Sequence, residues 1–127
     1  DAYCASLPVN AMVAAMNQAE IPAAVSYTAG TYVCNDVMYQ VLHVLATRFP
    51  ETRGTFLHVP FATEQVVEKN VAAAEKAAAA EKAGAGEKTR QVPSMSREMM
   101  TRGLQVALEA ALANDVDLAD SESGTTC

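Results

Sequence analysis

The sequence predicts an α/β fold whose sheet is incomplete within the chain. Two observations carry this. Segments with helical apolar spacing alternate with short extended runs, in the order helix, strand, helix, strand, helix, the alternation typical of α/β domains. The extended runs are apolar on both faces, as in a sheet covered on both sides. Two strands do not make such a sheet alone. The missing strands are expected from an absent segment or from another chain.

Each element has its own signal. Residues 8–19 read as a helix: Pro8 suits the first turn, and Val9, Met12, Val13 and Met16 recur at spacings of three and four. Ile21-Pro22 ends it. Ala24 to Thr28 is a short extended run stopped by Gly30. A second helix is expected from about Tyr32 to Arg48, with Val33, Val37, Val41 and Leu45 in one row and Met38, Leu42 and Phe49 beside it. Pro50 and the polar stretch to Gly54 break it. Thr55 to Val59 reads as a strand, closed by Pro60. Residues 64–90 are rich in Ala, Glu and Lys, strongly helical in propensity, yet short of large apolar residues after Val71. They read as a solvated insertion. The last helix is expected from Ser96 to Ala113, burying Met99, Met100, Leu104, Ala107, Leu108 and Ala111. Ser94 or Ser96 would cap it, with Glu98 near the positive end of its dipole. Residues 1–113 form one domain portion, and 114–127 read as a polar, acidic, disordered tail.

The totals narrow the function. A chain of 127 residues holds one small domain. Half of it is hydrophobic and 19% charged, a globular composition. A net charge of −6 without a basic cluster argues against nucleic acid. No apolar run approaches membrane-spanning length, and no signal peptide is read. The chain opens on Asp1 and enters patterned sequence at once, so a trimmed N-terminus is expected. Cysteines stand at 4, 34 and 127, with no CxxC and no histidine at zinc-ligand spacing, which disfavours a structural metal. The odd count argues against a disulfide framework and fits a reducing cytoplasm. Cys4 reads as a packed small hydrophobe and Cys127 as an idle, exposed tail residue.

Cys34 and His58 are the candidate catalytic pair. Cys34 follows Gly30 at the start of a predicted helix, where unpaired amides and the dipole favour a thiolate. The same amides can donate to a tetrahedral oxyanion. His58 closes a predicted strand, where α/β folds tend to place their sites, and can relay the thiol proton to a leaving amine. The competing reading is plain packing for the cysteine and simple hydrogen bonding for the histidine. His43, mid-helix beside Leu42, reads as helix surface. Asn35 and Asp36 adjoin Cys34 and do not face it, so neither orients His58.

These residues resemble the pyrrolidone-carboxyl peptidases (pyroglutamyl peptidase I), cysteine peptidases that remove N-terminal pyroglutamate. The matching stretches are Tyr27 to Asn35 (YTAGTYVCN), Met38-Tyr39, Leu42-His43, Phe56 to Pro60 (FLHVP) and Val92 to Ser96 (VPSMS). Leu7-Pro8 and Ile21-Pro22 fit as well. The match covers residues 1 to about 113 except the Ala/Glu/Lys stretch, which replaces a shorter family loop.

The resemblance implies that Cys34 is the nucleophile and His58 the general base, and that Tyr32 and Val33 line the pyroglutamyl ring pocket. It implies the C-terminal portion of a three-layer α/β/α sandwich, a cytoplasmic location, a homo-oligomer (a tetramer in the family) and no cofactor. It implies too that roughly the first half of the family's chain is absent, and with it the acidic member of the triad. The parent protein is expected to be the peptidase, and the 127-residue piece alone to be inactive. Two alternatives stand beside this: a non-catalytic fragment that only assembles with the missing half, and a different Cys/His hydrolase on a related scaffold.

Overall fold

In the computed structural model, residues 2–82 and 92–118 are described, with the side chains of 77 and 80–82 excepted. The elements in order are α1 (Val9–Gln18), α2 (Val33–Arg48), β1 (Phe61–Ala62), α3 (Thr63–Lys82), β2 (Ser94–Met95) and α4 (Arg97–Ala113). The predicted helix boundaries hold to within a residue or two, and the fold is α/β with a short, incomplete sheet. The chain divides into two units, Asp1–His58 with Arg102–Cys127, and Val59–Thr101.

In the first unit, the core gathers Met12 and Met16 of α1, Ile21, and Ala107 and Ala111 of α4. Each methionine hidden there is worth about 1.5–3 kcal/mol over an exposed one. The α1 stripe is as predicted, with Val13 packed against the cluster. Pro8 is the N-cap rather than the first helical residue. The helix closes on Glu20 in a left-handed conformation, φ 61°. Glu20 N–H donates to Asn17 O at 3.1 Å and Ile21 N–H to Met16 O at 2.9 Å, the paired bonds of a Schellman close. That turn puts Ile21 against the residue three from the helix end, and both join the core.

The buried face of α4 differs from expectation. Gly103, Ala107 and Ala111 are buried, whereas Met99, Leu104 and Leu108 are exposed and Leu112 is 82% exposed. Small residues admit a close approach: a Cβ on Gly103 would lie 3.3 Å from Ile21 Cγ2. The large residues form the next row round, which lies in solvent. α2 is similar in part. Leu42 is buried, but Val33, Val37 and Val41 of the predicted row are exposed, as is Val44 beside them. The fourth member of the predicted row, Leu45, is half-buried.

The carboxylate of Asp117 caps α1 from a distance in sequence. It accepts from the amides of Asn10 at 3.1 Å and Ala11 at 3.0 Å, and from Asn10 Nδ2 at 3.0 Å. Residues 119–127, including the rest of the predicted tail and Cys127, lie outside the described residues. Cys4 is exposed and disulfide-bonded, which corrects both the packed-hydrophobe reading and the expectation of a chain without disulfides.

The second unit holds the sheet. β1 and β2 are parallel and two residues long, with Phe61 opposite Ser94 and Ala62 opposite Met95. α3 follows β1, as a parallel pair requires a long connection. The predicted strands at 24–28 and 55–59 do not form. A strand needs a ladder neighbour, and among the described residues these runs have none. The Ala/Glu/Lys stretch is helical through Lys82, and its remainder to residue 90 lies outside the described residues. Gln65 Oε1 accepts the Ala62 N–H at 2.9 Å, a side-chain cap for α3. Lys69 Nζ lies 4.6 Å from the Phe61 ring centroid. Ser96 Oγ accepts the Met99 N–H at 3.2 Å, which selects Ser96 over Ser94 as the cap of α4.

Candidate active site

The turn before α2 sets the cysteine. Gly30 takes φ 86°, a conformation that a Cβ would strain, and its N–H donates to Thr28 Oγ1 at 3.0 Å. The chain then enters α2 through Tyr32 as an extended N-cap with no side-chain cap bond. Tyr32 O accepts from Asn35 N–H at 3.0 Å and more loosely from Asp36 N–H at 3.4 Å. Cys34 is thus the second helical residue. Its thiol is free and half-buried. Among the described residues, the amides of Val33 and Cys34 make no hydrogen bond, so both can donate to an incoming anion at a helix start. Tyr32 is 84% and Val33 74% exposed, which leaves the mouth of this turn open.

His58 lies in the same unit, on an irregular segment rather than at a strand end. It is exposed, and its ring sits 6.3 Å from that of Phe56. Among the described residues no hydrogen bond joins His58 to Cys34, and no carboxylate reaches it. His43 is on the helix surface, as expected, yet it has a partner: Tyr3 Oη lies 2.8 Å from its Nδ1. Tyr39 stacks beside it at 6.3 Å.

Sequence reasoning overlooked Arg53. Its guanidinium donates to the carbonyls of Ala111 at 3.2 Å, Asn114 at 3.0 Å and Asp115 at 3.4 Å. The only sequence signal is a lone arginine before Gly54 in a polar stretch.

The sequence matches the pyroglutamyl peptidase family over residues 1–114. The chain belongs to the pyroglutamyl peptidase family. A pyrrolidone-carboxylate peptidase of Enterococcus faecalis is 40% identical over 125 residues, covering 98% of this chain and 49% of that protein. One from Clostridium botulinum is 36% identical over 127 residues, covering 100% of this chain and 50% of its own length. The crystal structure of pyroglutamyl peptidase I from Bacillus amyloliquefaciens superposes with a TM-score of 0.73 at 29% identity, over 94% of this chain and 47% of that one. The chain spans about half the length of these pyroglutamyl peptidase relatives. Among its described residues, no helix is long and apolar enough to cross a membrane.

Proposed function

We propose that this chain carries the nucleophile and general base of a cysteine peptidase that removes N-terminal pyroglutamate from peptides. The observation that supports this most is a free, half-buried Cys34 in the first turn of α2, beside two amides without partners, in a chain of this family. His58 takes the Cys34 proton, and the thiolate attacks the pyroglutamyl carbonyl. The amides of Val33 and Cys34 hold the resulting oxyanion. His58 then returns the proton to the leaving amine, and water hydrolyses the thioester. Tyr32 and Val33 offer one wall to the small neutral lactam, a ligand suited to a mostly apolar pocket with few polar contacts. No cofactor enters these steps. The assembled enzyme is cytoplasmic and homo-oligomeric in this reading, and takes peptides rather than nucleic acid or membrane as partners.

A second reading has a specific observation behind it. His58 has no carboxylate partner among the described residues, and the valine row of α2 is uncovered. On this reading the 127-residue chain is inactive by itself and serves as an assembly partner for the other half of the fold. Hydrolysis of a fluorogenic pyroglutamyl amide, with and without iodoacetamide, separates the two. Thiol-sensitive turnover that vanishes in Cys34→Ala and persists in Cys4→Ala supports the catalytic reading. Full activity in Cys34→Ala refutes it. No turnover until the complementary half is added supports the second.

A further inference from the structure

We propose that Arg53 is a positioning residue for His58, an inference that rests on His58 being the general base. His58 makes no hydrogen bond of its own among the described residues, so its place depends on where the preceding chain is fastened. That fastening is at Arg53 and Gly54. The two terminal nitrogens of Arg53 fork across the end of α4: Nη2 donates to Ala111 O at 3.2 Å, and Nη1 to Asn114 O at 3.0 Å and Asp115 O at 3.4 Å. The Asp115 carboxylate lies 4.0 Å from Nη2. These carbonyls sit at the negative end of a helix dipole, where a cation is favoured. A planar fork reaches several of them at once, which an ammonium does not.

Gly54 extends the clamp in two further directions. Its N–H donates to Ser6 Oγ at 2.9 Å, and its carbonyl accepts from Ser6 N–H at 2.9 Å. Its Cα lies so close to Leu45 of α2 that a Cβ would collide with that side chain. α2 carries Cys34. One short stretch therefore refers the segment of the base to the helix of the nucleophile, and Arg53 holds that stretch against the end of α4. The span from Gly54 to His58 is four residues, short enough for the anchor to decide where the imidazole goes.

The test uses isotope-labelled chain as Arg53→Met and Arg53→Lys. The protein has two histidines, so the imidazole signals of His58 and His43 are separately readable, and His43 serves as an internal control. Arg53→Met is expected to shift the His58 signal, leave His43 in place and quicken exchange of the Ser6 and Gly54 amides about tenfold. Arg53→Lys restores part of both. A folded Arg53→Met protein with lowered melting temperature and an unmoved His58 signal overturns the proposal, because that is a staple and nothing more. Should Arg53→Met fail to fold, the same comparison in Arg53→Lys decides. In turnover assays of the complemented enzyme, Arg53→Met lowers kcat by a larger factor than it changes KM. If His58→Ala leaves turnover intact, the catalytic reading falls by itself, while the imidazole signals still decide whether Arg53 orders the segment.

Discussion

Replacing Glu20 with glycine is expected to stabilise the fold. Glu20 is the one described non-glycine residue with positive φ, at 61°, where a Cβ crowds its own backbone at a cost of about 1–2 kcal/mol. The conformation is imposed by the close of α1, whose two bonds to Met16 O and Asn17 O bring Ile21 into the core. Glycine keeps both bonds and removes the crowding. It also frees the unfolded chain, which gives back about 0.4–1 kcal/mol. The difference is a net gain of about 0–1.6 kcal/mol, centred near 0.8. Urea unfolding followed by circular dichroism reads it as a higher midpoint at unchanged slope. Glu20→Ala, which retains the Cβ, is the control and should show no such gain. A midpoint for Glu20→Gly at or below that of the parent would refute the assignment of strain to this residue.

Asp117→Ala removes three hydrogen bonds to the start of α1 and should cost about 1–2 kcal/mol in the same assay. Asp117→Asn, which can still accept, should cost less. Ala107→Leu places a large side chain where the residue is 1% exposed and should cost about 1–3 kcal/mol through overpacking. Leu112→Ala, on the exposed row of the same helix, should move stability by less than about 0.5 kcal/mol. Equal effects at 107 and 112 in thermal unfolding would mean that the buried face of α4 is misassigned.

The helices were legible because periodicity and caps are local properties. Met12 and Met16 declared the inner face of α1, and a serine at 94 or 96 declared the start of α4, with the structure choosing Ser96. That no strand forms at 55–59 was not legible, because a strand exists only through its neighbours, and a β-rich run without a ladder partner stays irregular. The face of α4 was misread for a related reason. Large side chains mark the inside only when something covers them. Here the close contact with Met16 and Ile21 is made through glycine and alanine, and the leucines next to them lie in water. Of the candidate site, the place of Cys34 at a helix start was legible. Arg53 could not, because its acceptors are main-chain carbonyls at the far end of the chain, and a sequence carries no mark for a carbonyl's position.

The position of the thiol follows from how α2 is held. On one side the helix is fastened through buried Leu42, through the close approach of Gly54 to Leu45, and through Tyr3 and His43. On the other side Val33, Val37, Val41 and Val44 run from the first turn nearly to the last, all exposed. Cys34 sits at the end of α2 where this uncovered row begins, and Val33, the residue before it, is the most exposed member. A row of β-branched residues along one helix face is built to lie against other protein, since water gains nothing from it and apolar cover would. The relatives, each about twice the length of this chain, have the additional sequence from which such cover can be made. Covering Val33 would change the surroundings of the amides next to Cys34, whereas covering Val44 would not reach them. If Cys34 is the nucleophile and His58 the base, as proposed above, both are in this chain, and the proposed anchor at Arg53 serves only the base. The last ångströms of the cysteine's setting depend on what lies against the valines.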